Sequence, residues 1–424
     1  MSFSPESSAH EADPDPGARW DVRVPEESEL PAAVHVVHEA LLIPDYDFQE
    51  VRESVEADRT LAAYDGARCV GAAGVHSFTM TMPGGPRRVA GVTDVGVWPT
   101  HRRRGVLSAL MRRQLADIRD RGEDVAALFA SEGGIYGRFG YGPAAAAVDF
   151  DVHTREAALR PEAPRDPALR LRLAGAEDVR KELEEVHKAA AAQRVGEFQR
   201  DTSWWDALLR DKPAHRRGQS ALQCAVAEDD AGPLGYVLYR TAQRWSEHGA
   251  AEGSLRVKEI YSTAPAAATL LWEHVLTRDL VQRVSHDMAA PDDPLLHLLA
   301  DPYRVRRRQV DNLWIRLVDL PAALEKRTYA APVDAVIEVR DRHCPWNAGR
   351  WRLSADTTAA RCTSTEAAPD VSLDVSHLGA AYLGDTRLGG YLAAGLISEA
   401  APGAVHRLDT ALHRSDRPHC GNIF

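Results

Sequence analysis

Two periods alternate along this chain. Val92, Val95 and Val97 form a β-prone stretch that stops at Pro99. After a turn crowded with arginine, Val106, Leu107, Leu110, Met111, Leu115 and Ile118 recur at the spacing of one helix face. Gly122 supplies a helix stop, and residues 125–130 are a continuous apolar run that predicts a buried strand. Upstream, residues 20–24 predict an opening strand, 31–42 a helix and 69–75 another strand, with a turn at 83–86. The order then recurs: a strand at 169–173, a helix at 176–194, a hairpin of 221–227 and 234–239 across Asp229 to Gly232, a strand at 255–261, and a helix at 265–278 with proline at its first turn. Residues 333–375, rich in Thr and Val, predict several strands, and 378–394 a helical segment.

A chain of 424 residues exceeds what one core serves, so several domains are expected. The divisions are 19–150, 160–310 and 312–424, after a disordered tail at 1–18 that is rich in Ser, Pro, Asp and Glu. The five cysteines are scattered, with no C-x-x-C pair and no histidine at ligand spacing, which predicts a reducing cytoplasm, no disulfide framework and no metal site. No apolar stretch reaches membrane-spanning length, so no membrane partner is expected. A net charge of −11 argues against nucleic acid and permits attraction of cationic substrates. Arg304, Arg306, Arg307 and Arg308 read as a solvated strand edge or an interface.

Candidate chemistry centres on the turn after Val97. Strand, arginine-and-glycine turn, then helix N-terminus is an anion seat, because free backbone N–H groups and the positive helix end converge there. No P-loop pattern is present and no Rossmann glycine pattern. Arg102-x-x-Gly105-x-Leu107 resembles the R/Q-x-x-G-x-G/A signature with which the GNAT superfamily of N-acetyltransferases grips the pyrophosphate of acetyl-coenzyme A, with Leu107 in place of the last small residue. The segment from Ser131 to Gly142, containing Tyr136 and Gly140, resembles that superfamily's strand, short helix and Y-x-x-x-G end. Together the two segments resemble the Eis (enhanced intracellular survival) family of N-acetyltransferases, densely over 92–142 and diffusely elsewhere, including 295–299 and 313–325.

The resemblance implies an α/β (α+β) architecture: two tandem GNAT-like mixed-sheet domains, the second degenerate, then a sterol-carrier-protein-like domain. The second copy carries Ser262-Thr263-Ala264-Pro265 at the equivalent turn, with neither arginine nor glycine, and is not expected to bind coenzyme A. By the same resemblance the backbone of Val95, Gly96 and Val97 would pair with pantetheine. Arg103, Arg104, Gly105, Val106, Leu107 and Ser108 would hold the pyrophosphate, and Ser131 and Glu132 would line the cofactor. Tyr136 stands where the family places its general acid; a core tyrosine bonded to a carbonyl is the structural alternative. Its reference pKa near 10 is close enough to a thiol's, roughly 8 to 9, for proton transfer.

The chain ends Cys420-Gly421-Asn422-Ile423-Phe424, an apolar terminus where frayed polar ends are usual. In Eis relatives the terminal carboxylate accepts the amine's proton, and Phe424 matches that position. The gap between a carboxylate and an ammonium is worth roughly 9 kcal/mol, so a raised carboxyl, a desolvated amine or a water relay is needed. The expected substrate is a small-molecule amine, an aminoglycoside-like polyamine or a lysine side chain, with Asp45 and Asp47 able to line its pocket. The implied assembly is a homohexamer, a trimer of dimers. The alternative is a non-catalytic acyl-coenzyme A or lipid-binding carrier or regulator.

Overall fold

A computed structural model describes residues 19–43 and 46–424; the expected tail at 1–18 and Asp45 lie outside the described residues. The chain divides into two compact units. One runs to His76 and resumes over Val92–Asp120; the other comprises Ser77–Gly91 and Arg121–Phe424. Two long strands, Arg68–Met82 and Gly85–Val97, pass from one unit into the other.

In the first unit Asp21–Arg23 pairs antiparallel with Leu61–Asp65, which pairs in turn with the start of Arg68–Met82. Helix Leu30–Ala40 places Ala33, Val36 and Val37 on Ala62, Tyr64 and Ala72. The helix predicted from Val106 onward runs Val106–Asp120 and buries Val106, Leu110, Met111, Leu115 and Ile118, the face its spacing marked.

In the second unit Val125–Phe129 pairs parallel with Ala90 and Gly91, and antiparallel with Leu313–Leu317, which also meets Gly142–Pro143. A seven-stranded sheet follows, in the order Arg306–Asp311, Ala146–His153, Val281–Ala289, Gly253–Ser262, Pro233–Ala242, Gln223–Glu228, Arg170–Ala174. The arginine run is its exposed edge strand. A five-stranded sheet (Ala360–Ser364, Gly349–Ala355, Val333–Arg340, Val371–Asp374, Ser398–Glu399) completes the fold.

Sheet membership does not follow the divisions at 150 and 312 strand by strand. Ala146–His153 belongs to the seven-stranded sheet of the second repeat, where Asp149 and Asp151 meet Arg308 and Arg283 across the ladder. Leu313–Leu317 returns to Val125–Phe129, and its burial at every position explains why four of its five residues are apolar. The segment expected to be helical over 378–394 is two short helices, Val375–Ala381 and Leu388–Ala393, because Gly384 between them sits at φ 98° and ends helical geometry.

Arg316 interrupts that apolar strand. Its guanidinium is fully buried and donates to both oxygens of Asp341 at 2.7 Å, while Asp341 also accepts from the backbone of His343 and Cys344 and from Asn347. Arg316→Ala strands a buried carboxylate, so it is expected to cost about 3–5 kcal/mol in denaturant unfolding. A loss below about 1 kcal/mol would show that water reaches Asp341.

Candidate active site

The predicted phosphate turn lies wholly in the first unit. The ladder between Gly85–Val97 and Val125–Phe129 consists of Ala90 with Ala126 and Gly91 with Ala127. Residues Val92 to Val97 therefore keep that edge without a strand partner among the described residues, and Asp94, at φ 51°, breaks the regular pleat just before Val95. Val95 and Val97 are half-buried and Gly96 is buried. The exposed Asp47 carboxylate caps helix Phe48–Ser54, accepting from the Gln49 N–H at 2.9 Å.

After a single turn at Pro99–His101, Arg103 adopts φ 61° and Gly105 φ 85°. Residues in this left-handed region turn neighbouring N–H groups to one side, the geometry of an anion-binding nest. Gly105 meets the requirement at little cost because it has no Cβ. The helix ladder begins with Ala109 N–H donating to Gly105 at 3.0 Å, so the N–H groups just before it have no intrahelical acceptor. Arg102, Arg103 and Arg104 are exposed, and no ion pair holds them among the described residues. The Trp20 indole donates to the Arg104 carbonyl at 3.0 Å and fastens the turn. Val106, Leu107 and Ser108 open the helix there.

The second unit carries Ser131, Glu132, Tyr136 and Phe424. Strand Val125–Phe129 leads to exposed Ser131 and Glu132 and then to the short helix Gly133–Tyr136. Tyr136 is buried; burial and the Glu132 charge push its phenol above the ordinary tyrosine value, against a hydrogen bond with Ser131. The sequence-based expectation of a phenol near its reference value is thus modified, and the proton is held more tightly. Tyr141, whose ring meets Tyr136 edge-on at 6.0 Å, is fully buried. Beside it a side chain at Gly142 would come within 1.9 Å of the Ser376 carbonyl.

Phe424 does not fray. Its ring packs on Phe78 and Phe129 at centroid distances of 4.7 and 5.2 Å, with Phe198 at 6.1 Å. Phe129 lies two residues before Ser131, so the terminus reaches the strand that leads to Tyr136.

The side chains that hold this terminus carry no sequence motif. Asn312 reads the Cys420 backbone in both directions at 2.9 Å. Glu197 accepts from Gly421 N–H and from Tyr261 hydroxyl, both at 3.0 Å. Arg200, buried, forks onto Glu259 and also donates to Asn422 Oδ1 at 2.7 Å. Asn312, Glu197 and Arg200 each lie more than 100 residues before the terminal residue they hold, and no local spacing could reveal them.

This network predicts acid sensitivity. Burial, helped by Arg200, pushes His187 down to about 4; burial, helped by His419, pushes His286 down to about 3. Burial pushes Asp293 up to about 6. Depressed histidines contribute stability that is present above their unfolded value, about 6.5, and is lost as pH falls below it. Asp293 acts oppositely, gaining as pH falls through 6. From pH 6.5 to about 5 the unfolded chain takes up protons at two imidazoles and the folded chain at one carboxyl, so stability should fall. His187→Phe should flatten that slope in unfolding measured against pH; a wild-type curve level from pH 7 to 5 would contradict the assignment.

Comparison with known proteins bears on what this arrangement does. Acetyltransferase (GNAT) domain models match residues 21–144 and 196–317, and a sterol carrier protein domain model matches 320–421. The N-acetyltransferase Eis of Mycobacterium bovis is 35% identical over 384 residues, 86% of this chain and 91% of that protein. The chain belongs to the Eis family of N-acetyltransferases. An uncharacterized N-acetyltransferase of Streptomyces avermitilis, 43% identical over 364 residues, covers 86% of this chain and 88% of its own. The crystal structure of Eis1 from Mycobacterium abscessus is 33% identical with a TM-score of 0.82, covering 95% of this chain and 100% of its own. A GCN5-related N-acetyltransferase from Anabaena variabilis, 18% identical with TM-score 0.82 over 96% of this chain and 100% of its own, shows the fold alone. The expected architecture of two GNAT domains and a sterol carrier protein domain on mixed sheets is therefore the one present. As a member of the Eis family the chain is an acetyltransferase, and GNAT acetyltransferases use acetyl-coenzyme A. No described helix is long and apolar enough to cross a membrane.

Proposed function

We propose that this enzyme transfers the acetyl group of acetyl-coenzyme A directly to a primary amine, without a covalent acyl-enzyme. The observation that carries this reading is the turn itself: Arg103 and Gly105 in left-handed geometry at a helix start, following strand residues with a free edge. Diphosphate seats on the N–H groups of Arg103 to Ser108, with Arg103 and Arg104 adding charge. Pantetheine pairs with the backbone of Val95, Gly96 and Val97 as an added strand. Ser131 and Glu132 line the cofactor. Tyr136 protonates the departing thiolate; burial that raises the phenol raises the thiol as well, which keeps the two values close. The Phe424 carboxylate accepts the ammonium proton, directly or through water.

The substrates are small cationic amines, of aminoglycoside-like polyamine or lysine type, in keeping with the net charge of −11. Burial raises the Cys69 thiol to about 11, so it supplies no nucleophile. Cytoplasmic residence and a hexamer, a trimer of dimers, belong to the same proposal; light scattering that returns the monomer mass of 46.5 kDa would remove the hexamer. Release of free thiol from acetyl-coenzyme A in the presence of an amine panel tests the reaction. Amine-dependent release supports it, and no release with any amine refutes it.

A further inference from the structure

Strands Gly253–Ser262 and Val281–Ala289 run parallel in register from Gly253 with Val281 to Val257 with His286 and then part. The space they leave is a cavity of about 310 Å³, closed on one side by His419 and Gly421 of the C-terminal segment. We propose that this cavity is a second, non-catalytic binding site for a small alkylammonium ligand such as a short diamine.

Its lining has surplus acceptors. Glu197 is 1% exposed and spends Oε1 on Gly421 and Tyr261, while Oε2 has no hydrogen-bond partner. Burial alone would raise that carboxyl, but His419 and Arg200 hold it down at about 2, so it is charged. His286 is 7% exposed and its Nδ1 is likewise without a partner. That imidazole stays neutral, so a ring nitrogen can accept. Asp293 Oδ1 accepts only the Leu295 N–H, at 2.8 Å.

Most of the remaining charges of the lining are paired, and Lys258 alone is held by a neutral carbonyl. Arg200 answers Glu259, Arg256 answers Asp287 and Arg414 answers Asp416. Arg194 is paired with Asp292 at 2.7 Å and Lys258 donates to the Leu208 carbonyl. Glu197 and Asp293 are left without an arginine or lysine ion pair among the described residues; His419 Nδ1 stands 3.6 Å from Glu197 Oε1 and leaves Oε2 idle. A buried charge with an idle oxygen is costly unless a donor meets it. The two idle atoms, a carboxylate oxygen and a neutral imidazole nitrogen, call for a hydrogen-bond donor rather than an anion. A metal ion lacks ligands, since no described group of three or more His, Cys, Asp or Glu side chains could hold one. The volume is at the small end of ligand pockets, which suits a short diamine rather than a multi-ring polyamine.

The test uses the full chain and 1,4-diaminobutane, by calorimetric titration and by crystals soaked in the same compound. The expected result is diamine density between Glu197 and His286, together with a binding event weakened about tenfold or more by Glu197→Gln. Glu197 also holds Gly421, so Ala290→Leu, which fills the cavity from its wall and leaves the charges in place, is the second variant and should abolish the same event. Ordered water alone in the soaked crystals, density with no event in solution (binding at crystal concentration only), or isotherms unchanged in both variants would each overturn the proposal. Turnover is not read in this test, so failure of the acetyl-transfer reading leaves its outcome intact.

Discussion

Tyr136→Phe is expected to lower kcat by about a hundredfold or more, the usual contribution of a positioned general acid, at nearly unchanged melting temperature. The tyrosine is 6% exposed and packs edge-on against Tyr141 at 6.0 Å, contacts that a phenylalanine ring keeps. Only the hydroxyl is lost, and with it the hydrogen bond to Ser131. Wild-type kcat in the variant would remove Tyr136 from the mechanism.

Converting the terminal carboxylate of Phe424 to an amide should cost a comparable factor, about a hundredfold or more in kcat. The amide keeps the ring among Phe78, Phe129 and Phe198 and removes only the proton acceptor. Phe424→Ala makes the complementary change, keeping a carboxylate on a chain end that has lost its anchor. A one-glycine extension moves the carboxylate beyond the ring. All three should leave folding intact, because Asn312, Glu197 and Arg200 hold the chain at Cys420, Gly421 and Asn422 without Phe424. Full activity in the amide would sink the assignment.

The first repeat was legible because its signals are local. The apolar face from Val106 to Ile118, the break at Pro99 and the glycine at 105 each act within a few residues. The exchange of Ala146–His153 and Leu313–Leu317 between sheets was not legible, since strand partners are chosen by burial and charge across distances of more than 100 residues. The helical segment predicted over 378–394 is divided by one left-handed glycine, Gly384, within an otherwise helix-permissive Ala, Gly and Leu composition. Phe424 stood out because an apolar terminus is odd, but its anchors did not: Glu197 and Arg200 look like ordinary surface charges until Tyr261, Glu259 and the tail enclose them.

A tail stitched into place by residues 312, 197 and 200 also has a timing consequence. The last residues of a nascent chain are still inside the ribosome when the strands of both repeats, complete by Leu317, are free to pair. Under the proposed mechanism the enzyme can therefore form those sheets during synthesis yet stay silent until the Phe424 carboxylate is set free. Any extension of the chain, or exopeptidase trimming by a single residue, would then yield a folded but inert protein.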